Sequence, residues 1–357
     1  MKTNSRDPDF RNRVVVITGA SAGVGRAAAR AFARAGASVG LLARGQQGLD
    51  ATVRELELLG ARALACSVDV ADAAAVEQAA QQIEDQLGPI DVWVNNAMVT
   101  IFAPVSAIDA AEFKRVTEVT YLGGVYGTMA ALKHMRPRNR GTIVQVSSAL
   151  AYRSIPLQSA YCGAKHALVG FIDALRSELI HEGSHIHITS VQMPALNTPQ
   201  FSWARNRMPN RPQPVPPIFQ PEVAADAIVW AAAHRRRSVP VGAPTWLSEW
   251  GQKIAPGLLD RYLGRTGYRG QQTDEPDNPD RADNLFSPVA GDPGAHGRFG
   301  ERATDHSGAL WVEKHRTPLF GAVLAAGALA AGCWYASRRR PASALRRGAR
   351  KLQRRWS

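Results

Sequence analysis

An apolar run that enters a glycine-rich turn and then a helix is the feature that most restricts how this chain can fold. Residues 13–20 (Arg-Val-Val-Val-Ile-Thr-Gly-Ala) are typical of a buried parallel strand. The turn at 18–25 reads TGASAGVG, and the Ala-rich residues 24–36 predict a helix that ends at Gly36. A strand, a tight turn and a helix in this order predict the first unit of a parallel α/β sheet.

The same alternation of strand and helix continues along the chain. Strands are predicted at 38–43, 63–68, 90–94, 141–146 and 185–192, and helices at 48–59, 73–87, 110–136 and 159–181. Parallel strands joined by helices of this length need right-handed crossovers, which build a doubly wound sheet. We therefore predict an α/β protein with a single main domain at 13–245, preceded by an N-terminal arm at 1–12.

The composition changes beyond Pro194. Residues 199–221 are rich in Pro, Arg and Asn and predict a long mobile loop, and a further helix is predicted at 221–234. Residues 246–308 are predicted to be an extension and linker, because 270–308 hold many Asp, Gly and Pro and little apolar periodicity.

The net charge of +13 is concentrated at the carboxyl terminus. Residues 338–357 contain eight Arg, one Lys and no acid, so +9 of the charge lies in this tail. The rest of the chain therefore has an ordinary globular balance, and we expect no nucleic-acid partner. The amino terminus has no apolar core of a signal peptide, so none is expected. The cysteines are too scattered to predict a metal site or a disulfide framework: Cys66, Cys162 and Cys333.

The glycine-rich turn predicts a binding site for phosphate groups. It presents backbone N–H groups at the positive end of a helix dipole, and its glycines let an anion approach the backbone closely. We expect a dinucleotide to be held there by five residues of the turn: Gly19, Ser21, Gly23, Val24 and Gly25. The alternative is that these glycines form an ordinary turn between a strand and a helix.

Residues at the ends of the next strands indicate which dinucleotide is bound. The second strand ends without an acid that would bind a ribose 2′-hydroxyl, and Arg44 can pair with a 2′-phosphate, which favours NADP(H) over NAD(H). The alternative for Arg44 is a solvated surface arginine. Asp69 either binds the adenine edge or caps a turn. Asn95 and Ala97 are expected to brace the cofactor, although consecutive amides are also common in turns.

A tyrosine and a lysine four residues apart predict a site of proton transfer. Tyr161 and Lys165 share one face of a predicted helix, and Ser148 follows the preceding strand. A nearby ammonium group would lower the pKa of the phenol, which is otherwise a poor base at neutral pH. The Ser148 hydroxyl could polarise a substrate oxygen where charge develops. The spacing alone also occurs by chance on helix surfaces.

Taken together, these motifs resemble the short-chain dehydrogenase/reductase family over roughly residues 10–245. The resemblance is carried by TGASAGVG at 18–25, Asp69, NNA at 95–97, Ser148, YCGAK at 161–165, Pro194 and Thr198. It implies a single Rossmann domain and NADP(H)-dependent interconversion of an alcohol and a carbonyl. It also implies that Tyr161 is the general acid/base, that Lys165 also binds the nicotinamide ribose, and that Ser148 orients the substrate. Pro194 and Thr198 would contact the nicotinamide end.

Two residues depart from the family pattern. Thr120 stands where the family has an asparagine that helps to build a water-linked proton relay. A hydroxyl can still form hydrogen bonds there, so we retain Thr120 as a candidate catalytic residue of a rewired relay. Met98 replaces the glycine that usually follows the NNA motif, which alters packing near the cofactor or enlarges an apolar substrate wall.

The loop at 199–221 is the segment that covers the substrate in this family, so it is expected to be a lid. Its large apolar side chains are Phe201, Trp203, Met208 and Phe219. They favour a bulky, lipophilic alcohol or ketone as substrate. The alternative is a surface loop that its aromatic residues anchor.

The carboxyl terminus predicts attachment to a membrane. Residues 317–337 include eighteen consecutive uncharged residues, close to the lower limit for spanning a bilayer, with aromatic residues and arginines at one end. Residues 338–357 form a basic amphipathic pattern suited to an anionic bilayer surface. A buried Ala-rich helix and a nucleic-acid-binding tail are the alternatives. Whether 317–337 spans the bilayer or lies in its interface stays open, and we expect the catalytic domain to face the cytoplasm.

The leading hypothesis is a membrane-associated NADP(H)-dependent oxidoreductase that acts on a lipophilic alcohol or ketone. A non-catalytic NADP(H)-binding sensor or scaffold is the alternative suggested by Thr120 and Met98. An epimerase or dehydratase is a third possibility, against which Arg44 and the short spacing argue. The resemblance also implies a homodimer or homotetramer formed through the helices that carry Thr120 and Tyr161.

Overall fold

A sheet of seven parallel strands forms the centre of the computed structural model, which describes residues 8–316 and Trp334. The strands of the chain are β1 (Val14–Thr18), β2 (Ser38–Ala43), β3 (Ala63–Ser67), β4 (Ile90–Asn95), β5 (Ile101–Phe102), β6 (Thr142–Ser148), β7 (His187–Met193), β8 (Ala195–Leu196), β9 (Arg205–Asn206), β10 (Asn210–Pro212), β11 (Ile218–Phe219), β12 (Ser238–Pro240), β13 (Gln272–Pro276) and β14 (Ala303–Thr304). The order in the central sheet is β12-β7-β6-β4-β1-β2-β3.

The helices connect these strands across both faces of the sheet. They are α1 (Gly23–Arg34), α2 (Gln46–Leu58), α3 (Ala73–Leu87), α4 (Ala110–Thr117), α5 (Gly123–Met135), α6 (Ser159–His181), α7 (Gln200–Trp203), α8 (Pro221–Ala233), α9 (Ala243–Ile254) and α10 (Pro256–Gly270). The chain builds outward from β1 to β3 and then returns to the other side of β1 with β4. This reversal confirms the predicted doubly wound sheet and creates a crevice at the carboxyl ends of β1 and β4.

The sheet is covered by a separate apolar layer on each face, because successive side chains of a strand point to opposite sides. One layer includes Val15, Ile17, Phe32, Leu41 and Trp230. The other includes Val14, Val16, Trp93, Met135 and Tyr161. The inner strands are therefore buried on both faces; β1 is apolar along most of its length, whereas β6 and β7 also carry buried polar residues such as Gln145 and Gln192.

The predicted helix at 110–136 is interrupted. It consists of α4 and α5, joined by one turn of π-helix at Glu118–Leu122. Thr120 lies within this turn, and its hydroxyl donates to the carbonyl of Val99 (2.9 Å) and accepts from the N–H of the same residue (3.1 Å). Because the Thr120 hydroxyl bonds to both the N–H and the carbonyl of Val99, the π-helical turn is anchored to the segment that follows β4.

The two segments predicted to be a mobile loop and a linker are ordered parts of the main unit, which ends at Leu310. Within 199–221, β10 pairs with β13 and β11 pairs with both β8 and β14. Within 246–308, Leu285 and Phe299 are buried. Polar contacts hold these segments, including a hydrogen bond from the Phe299 N–H to the Asn197 side chain (2.9 Å). Polar contacts of this kind need no regular spacing of apolar residues, so hydrophobic periodicity could not predict them.

In the part of the chain that the structure describes, no helix is both long and apolar enough to cross a membrane. The predicted membrane segment at 317–337 and the basic tail at 338–357 lie outside the described residues, apart from Trp334. Residues 1–7 of the predicted arm lie outside them as well.

A partly buried ion-pair cluster joins α1 to α2 and gives a testable pH dependence. Burial would raise the pKa of Glu55, but hydrogen bonds from Arg30 (2.6 Å) and Arg26 (2.8 Å) outweigh it and hold the pKa at about 2. A carboxyl whose pKa is lowered on folding stabilises the folded state above its unfolded pKa and loses that effect as the pH falls towards the folded value. The cluster therefore weakens as the pH falls from about 4.5 towards 2.

We predict that Glu55→Gln lowers the free energy of unfolding by about 2 kcal/mol at pH 7, and that the difference shrinks steadily below pH ~4. Urea unfolding followed by circular dichroism at pH 7, 4 and 3 measures this. Glu57→Gln, on the exposed side of the same helix, is the control and should have little effect. An equal loss for Glu55→Gln at pH 7 and pH 3 would contradict the proposed role of ionised Glu55.

Candidate functional site

The crevice at the carboxyl ends of β1 to β4 collects most of the residues predicted to bind a cofactor. Eight of them line it: Gly19, Ser21, Gly23, Val24, Arg44, Asp69, Ala97 and Thr198. A second cavity, of about 410 Å³, adjoins it and is lined by the predicted Ser148, Tyr161, Lys165, Pro194 and Thr198. Val24, Asn96, Met98 and Thr198 line both spaces, so the cofactor crevice and the catalytic group are continuous.

The turn after β1 needs its glycines for steric reasons. Gly19 has a φ of +69°, and a Cβ placed there would lie 2.9 Å from the Cα of Ala97. A Cβ on Gly25 would lie only 2.2 Å from the carbonyl oxygen of Gly19. Gly25 does not line the crevice; it lets α1 approach the turn, while the bare backbone of the turn fits the close approach of a phosphate.

A hydrogen-bonded clamp joins this turn to the end of β4. The Thr18 hydroxyl accepts from the N–H groups of Asn96 (2.9 Å) and Ala97 (3.0 Å), and the Asn96 amide donates to the Thr18 carbonyl (2.9 Å). Asn95, which we predicted at the cofactor, instead faces the core, where its amide donates to Thr128 (3.0 Å). The difference follows from strand alternation, which turns Asn95 and Asn96 to opposite sides. Sequence analysis missed Thr18 as a clamp residue.

The segment 284–294, which we call the strap, lines the crevice beside the end of β2. Arg44 is not a solvated surface residue: its guanidinium donates to the carbonyl oxygens of Phe286 (3.0 Å), Leu285 (3.3 Å) and Asn284. The N–H of Gly23 donates to the Gly294 carbonyl (3.1 Å). Two groups predicted to bind phosphates are therefore bonded to the strap, which sequence analysis assigned to a linker.

Asp69 acts in the structure as a turn cap and as an ion-pair partner. One carboxylate oxygen accepts from the Ala71 N–H (3.0 Å), and the other pairs with Arg115 of α4. Arg115 also donates to the Leu285 carbonyl (3.1 Å). Burial lowers the pKa of the Arg44 guanidinium, and the nearby Arg115 lowers it further. Sequence analysis missed Arg115, which is a second guanidinium beside the predicted 2′-phosphate site.

The catalytic candidates meet where β6 ends beside α6. Tyr161 and Lys165 are four residues apart on α6, and Ser148 is the last residue of β6. All three are buried. The Ser148 hydroxyl accepts from the Leu150 N–H (3.1 Å) and lies close enough to Tyr161 to influence the pKa of the phenol. The Lys165 ammonium donates to the Val146 carbonyl (2.7 Å) and lies 5.6 Å from the centre of the Tyr161 ring. The two helical residues therefore face the same strand end.

The electrostatics of this group differ from the sequence expectation. Burial raises the pKa of Tyr161, and the hydrogen bond from Ser148 opposes that rise. Burial also lowers the pKa of Lys165 to about 8. We expected Lys165 to lower the pKa of the phenol, but its hydrogen bond is directed to Val146. Ser148 is the neighbour that favours the phenolate, because its hydroxyl can donate to the oxygen that becomes charged.

Thr120 lies away from the reacting groups, whereas part of the predicted lid lies beside them. The Thr120 hydroxyl is committed to Val99 and does not line either cavity, so the structure does not bring it to Tyr161. Of the four large side chains of the predicted lid, Phe201 lines the catalytic cavity and Trp203 lines the cofactor crevice. Phe219 is buried in the core.

The catalytic cavity is mainly apolar at its outer end. Leu150, Ile155, Phe201, Val215 and Leu263 all contribute to its lining. They come from four separate segments, including α10, which sequence analysis placed in an extension. The cavity therefore combines the polar groups of Ser148 and Tyr161 with a lining that includes many apolar side chains.

Comparison with known proteins gives consistent matches. Residues 13–208 match the family described as short chain dehydrogenase. An uncharacterized oxidoreductase of Bacillus subtilis (strain 168), YxnA, is 30% identical over 95% of this chain and 94% of its own length. A fatty acyl-CoA reductase of Acinetobacter baylyi is 33% identical over 65% of this chain and 76% of its own. A candidate short-chain alcohol dehydrogenase of Sinorhizobium meliloti 1021 has a solved structure that is 26% identical, with a TM-score of 0.57, over 65% of this chain and 96% of that one.

The close approach at Gly25 gives a prediction for the turn. Gly25→Ala should lower the free energy of unfolding by about 1–3 kcal/mol, because the new Cβ overlaps backbone that cannot move without displacing the turn. Thermal and urea unfolding measure the change. Gly170→Ala in α6, where a Cβ meets nothing within 4 Å, is the matched control and should be neutral or stabilising. Equal stability of the two variants would disprove the steric requirement.

Proposed function

We propose that this chain, which belongs to the short-chain dehydrogenase family, is an NADP(H)-dependent oxidoreductase that interconverts a lipophilic alcohol and its carbonyl. Membership of the family makes it an oxidoreductase that uses a nicotinamide cofactor and acts on alcohol or carbonyl groups. The preference for NADP(H), the class of substrate and the residue roles are our inferences from the site.

The convergence of Ser148, Tyr161 and Lys165 on the lining of the catalytic cavity carries this proposal. A nicotinamide dinucleotide, when bound, exchanges a hydride with the substrate carbon. During reduction, the Tyr161 hydroxyl donates its proton to the carbonyl oxygen, and during oxidation it takes the proton back. Ser148 stabilises the charge that develops on these oxygens.

Lys165 acts on Tyr161 through charge rather than through a direct hydrogen bond. Its ammonium lies 5.6 Å from the ring and is held by the Val146 carbonyl, which keeps a positive charge near the phenolate. A buried ammonium also suits a role in binding a ribose hydroxyl of the cofactor. We assign Thr120 to bracing the π-turn instead of to the proton relay, because its hydroxyl is committed to Val99.

The preference for NADP(H) is supported by the charges at the end of β2. Ala43 precedes Arg44, so the end of β2 carries no acid, and Arg115, which pairs with Asp69, brings a second guanidinium to the same place. Phosphate oxygens are stronger acceptors for guanidinium groups than neutral carbonyls. We therefore infer that the 2′-phosphate binds to Arg44 in place of the strap carbonyls.

A lipophilic substrate is supported by the apolar outer part of the catalytic cavity and by the similarity to a fatty acyl-CoA reductase. We further propose that residues 317–357 attach the protein to a membrane, with the catalytic domain on the cytoplasmic side, on the strength of the sequence pattern alone. A homodimer or homotetramer formed through α4 to α6 is the assembly that we expect. No nucleic-acid or metal partner is proposed.

Replacing the proposed proton donor tests the reaction. Tyr161→Phe should lower kcat by about 10³-fold or more while NADPH binding, measured by its fluorescence, is unchanged. The assay follows NADPH oxidation with a panel of lipophilic ketones. Tyr152→Phe is the control, because this hydroxyl bonds to Gln192 (2.6 Å) outside the reacting group. Binding of NADPH without turnover in the unmodified protein would favour a sensor or scaffold instead.

Replacing Arg44 tests the cofactor preference. Arg44→Ser should lower kcat/KM for NADPH by about 10–100-fold, because a charged hydrogen bond to phosphate is lost. The kcat/KM for NADH should stay within a factor of about three of its value in the unmodified protein, since NADH has no phosphate at that position. Arg54→Ser, on the exposed face of α2, controls for loss of positive charge. An equal loss with both cofactors would contradict the assignment of Arg44.

A further inference from the structure

Helix α9 exposes its apolar side chains to the outside of the protein. Trp246, Leu247, Trp250 and Ile254 recur at the spacing of one helix face. Their exposed fractions are 40%, 72%, 61% and 77%. On an ordinary surface helix such side chains face the core and the polar ones face solvent, so α9 has the opposite arrangement.

Helix α10 extends this surface and adds positive charge to it. Leu258 and Tyr262 are 65% and 61% exposed. Arg261, Arg265 and Arg269 follow at four-residue intervals, and all three are exposed. None of them has an ion pair or side-chain hydrogen bond among residues 8–316. We call these six apolar residues and three arginines the α9–α10 surface.

The acids of these two helices do not neutralise the arginines. Glu249 pairs with Lys253 (2.8 Å), and Asp260 pairs with Arg153 (2.6 Å). The three arginines are therefore free cations beside an exposed aromatic and aliphatic face. That combination favours docking on an anionic bilayer surface, because Trp and Tyr prefer the interface and each cation is attracted to the headgroups.

The same helices form a wall of the catalytic cavity. Pro244 and Ser248 of α9 and Tyr262, Leu263 and Thr266 of α10 line it. Tyr262 belongs to both surfaces, since it lines the cavity and is largely exposed. The helix pair therefore contributes both to the exposed apolar surface and to the lining of the cavity.

We propose that the α9–α10 surface docks on an anionic lipid bilayer and that the substrate enters the catalytic cavity from the bilayer beside Tyr262. The route for the substrate rests on the proposed function, whereas the docking itself does not. A second copy of the chain is a poorer occupant, because a symmetric interface would place this patch against its own uncompensated arginines. Docking is also independent of residues 317–357, since all of its residues precede them.

Hydrogen exchange of the full chain, read by mass spectrometry, tests the docking locally. Vesicles of phosphatidylcholine with about one-third phosphatidylglycerol should slow exchange in peptides from 243–270, and pure phosphatidylcholine vesicles should slow it much less. Replacing Arg261, Arg265 and Arg269 with Gln should lower the affinity for the anionic vesicles by about fivefold for each arginine. The protection of 243–270 should weaken accordingly. The double variant Leu247→Ser/Trp250→Ser should abolish it.

The matched control is Leu58→Ser/Ile180→Ser, which removes two exposed apolar side chains from α2 and α6 and should leave the protection intact. Protection confined to peptides after residue 316 would overturn the proposal, since the tail would then be the only membrane contact. Protection of 243–270 that grows with protein concentration in the absence of vesicles would overturn it in favour of self-association.

Turnover of a water-soluble ketone with NADPH separates this proposal from the proposed function. Leu247 and Trp250 do not line the catalytic cavity, so their variant should retain that turnover. Loss of vesicle protection with turnover retained in the variant supports docking by this surface. Turnover without any vesicle protection in the unmodified protein overturns the docking alone, and protection without turnover overturns the enzymatic proposal alone.

Discussion

The clamp between the turn after β1 and the end of β4 is the contact on which the site depends. One hydroxyl, that of Thr18, accepts from two consecutive N–H groups, and the Asn96 amide returns a bond to the Thr18 carbonyl. These strands are neighbours because the strand order reverses at β1: β2 and β3 lie on one side of it and β4 lies on the other. The clamp therefore fixes the distance between the phosphate turn and the loop that leads to the catalytic cavity.

The sequence was most informative where a local pattern has a single structural solution. The strand at β1 and the four-residue spacing of Tyr161 and Lys165 were sufficient to predict the sheet and the shared helix face. Contacts between distant segments left no such pattern. The strap binds through main-chain carbonyls, which any residue supplies, and the π-turn at Thr120 depends on a bond to Val99. The α9 helix is different: its apolar residues recur at helical spacing, which sequence analysis did not use, but the spacing alone does not tell whether that face is buried or exposed.

Asn95 and Asn96 show that an error of one residue along a strand changes the predicted environment of a side chain. Both are amides at the end of one strand, and sequence analysis assigned the first to the cofactor. A shift of one residue reverses the side to which a strand side chain points. Asn95 consequently belongs to a buried network with Thr128, while Asn96 reaches the crevice. The strand was predicted to end at 94, and its observed end at Asn95 is within the usual uncertainty of such boundaries.

The two ends of the site are built from opposite kinds of contact, which suits the two molecules that we propose to meet there. At the adenosine end, Arg44 and the N–H of Gly23 are satisfied by neutral carbonyl oxygens of the strap. A phosphate oxygen bonds about twice as strongly to such donors, so a dinucleotide can replace these bonds without leaving a buried donor unpaired. At the substrate end, apolar side chains make up much of the lining, and α9 and α10 contribute both to it and to the exposed apolar surface. A charged cofactor arriving from water and an apolar substrate arriving from a bilayer would therefore enter from different sides and meet at Tyr161.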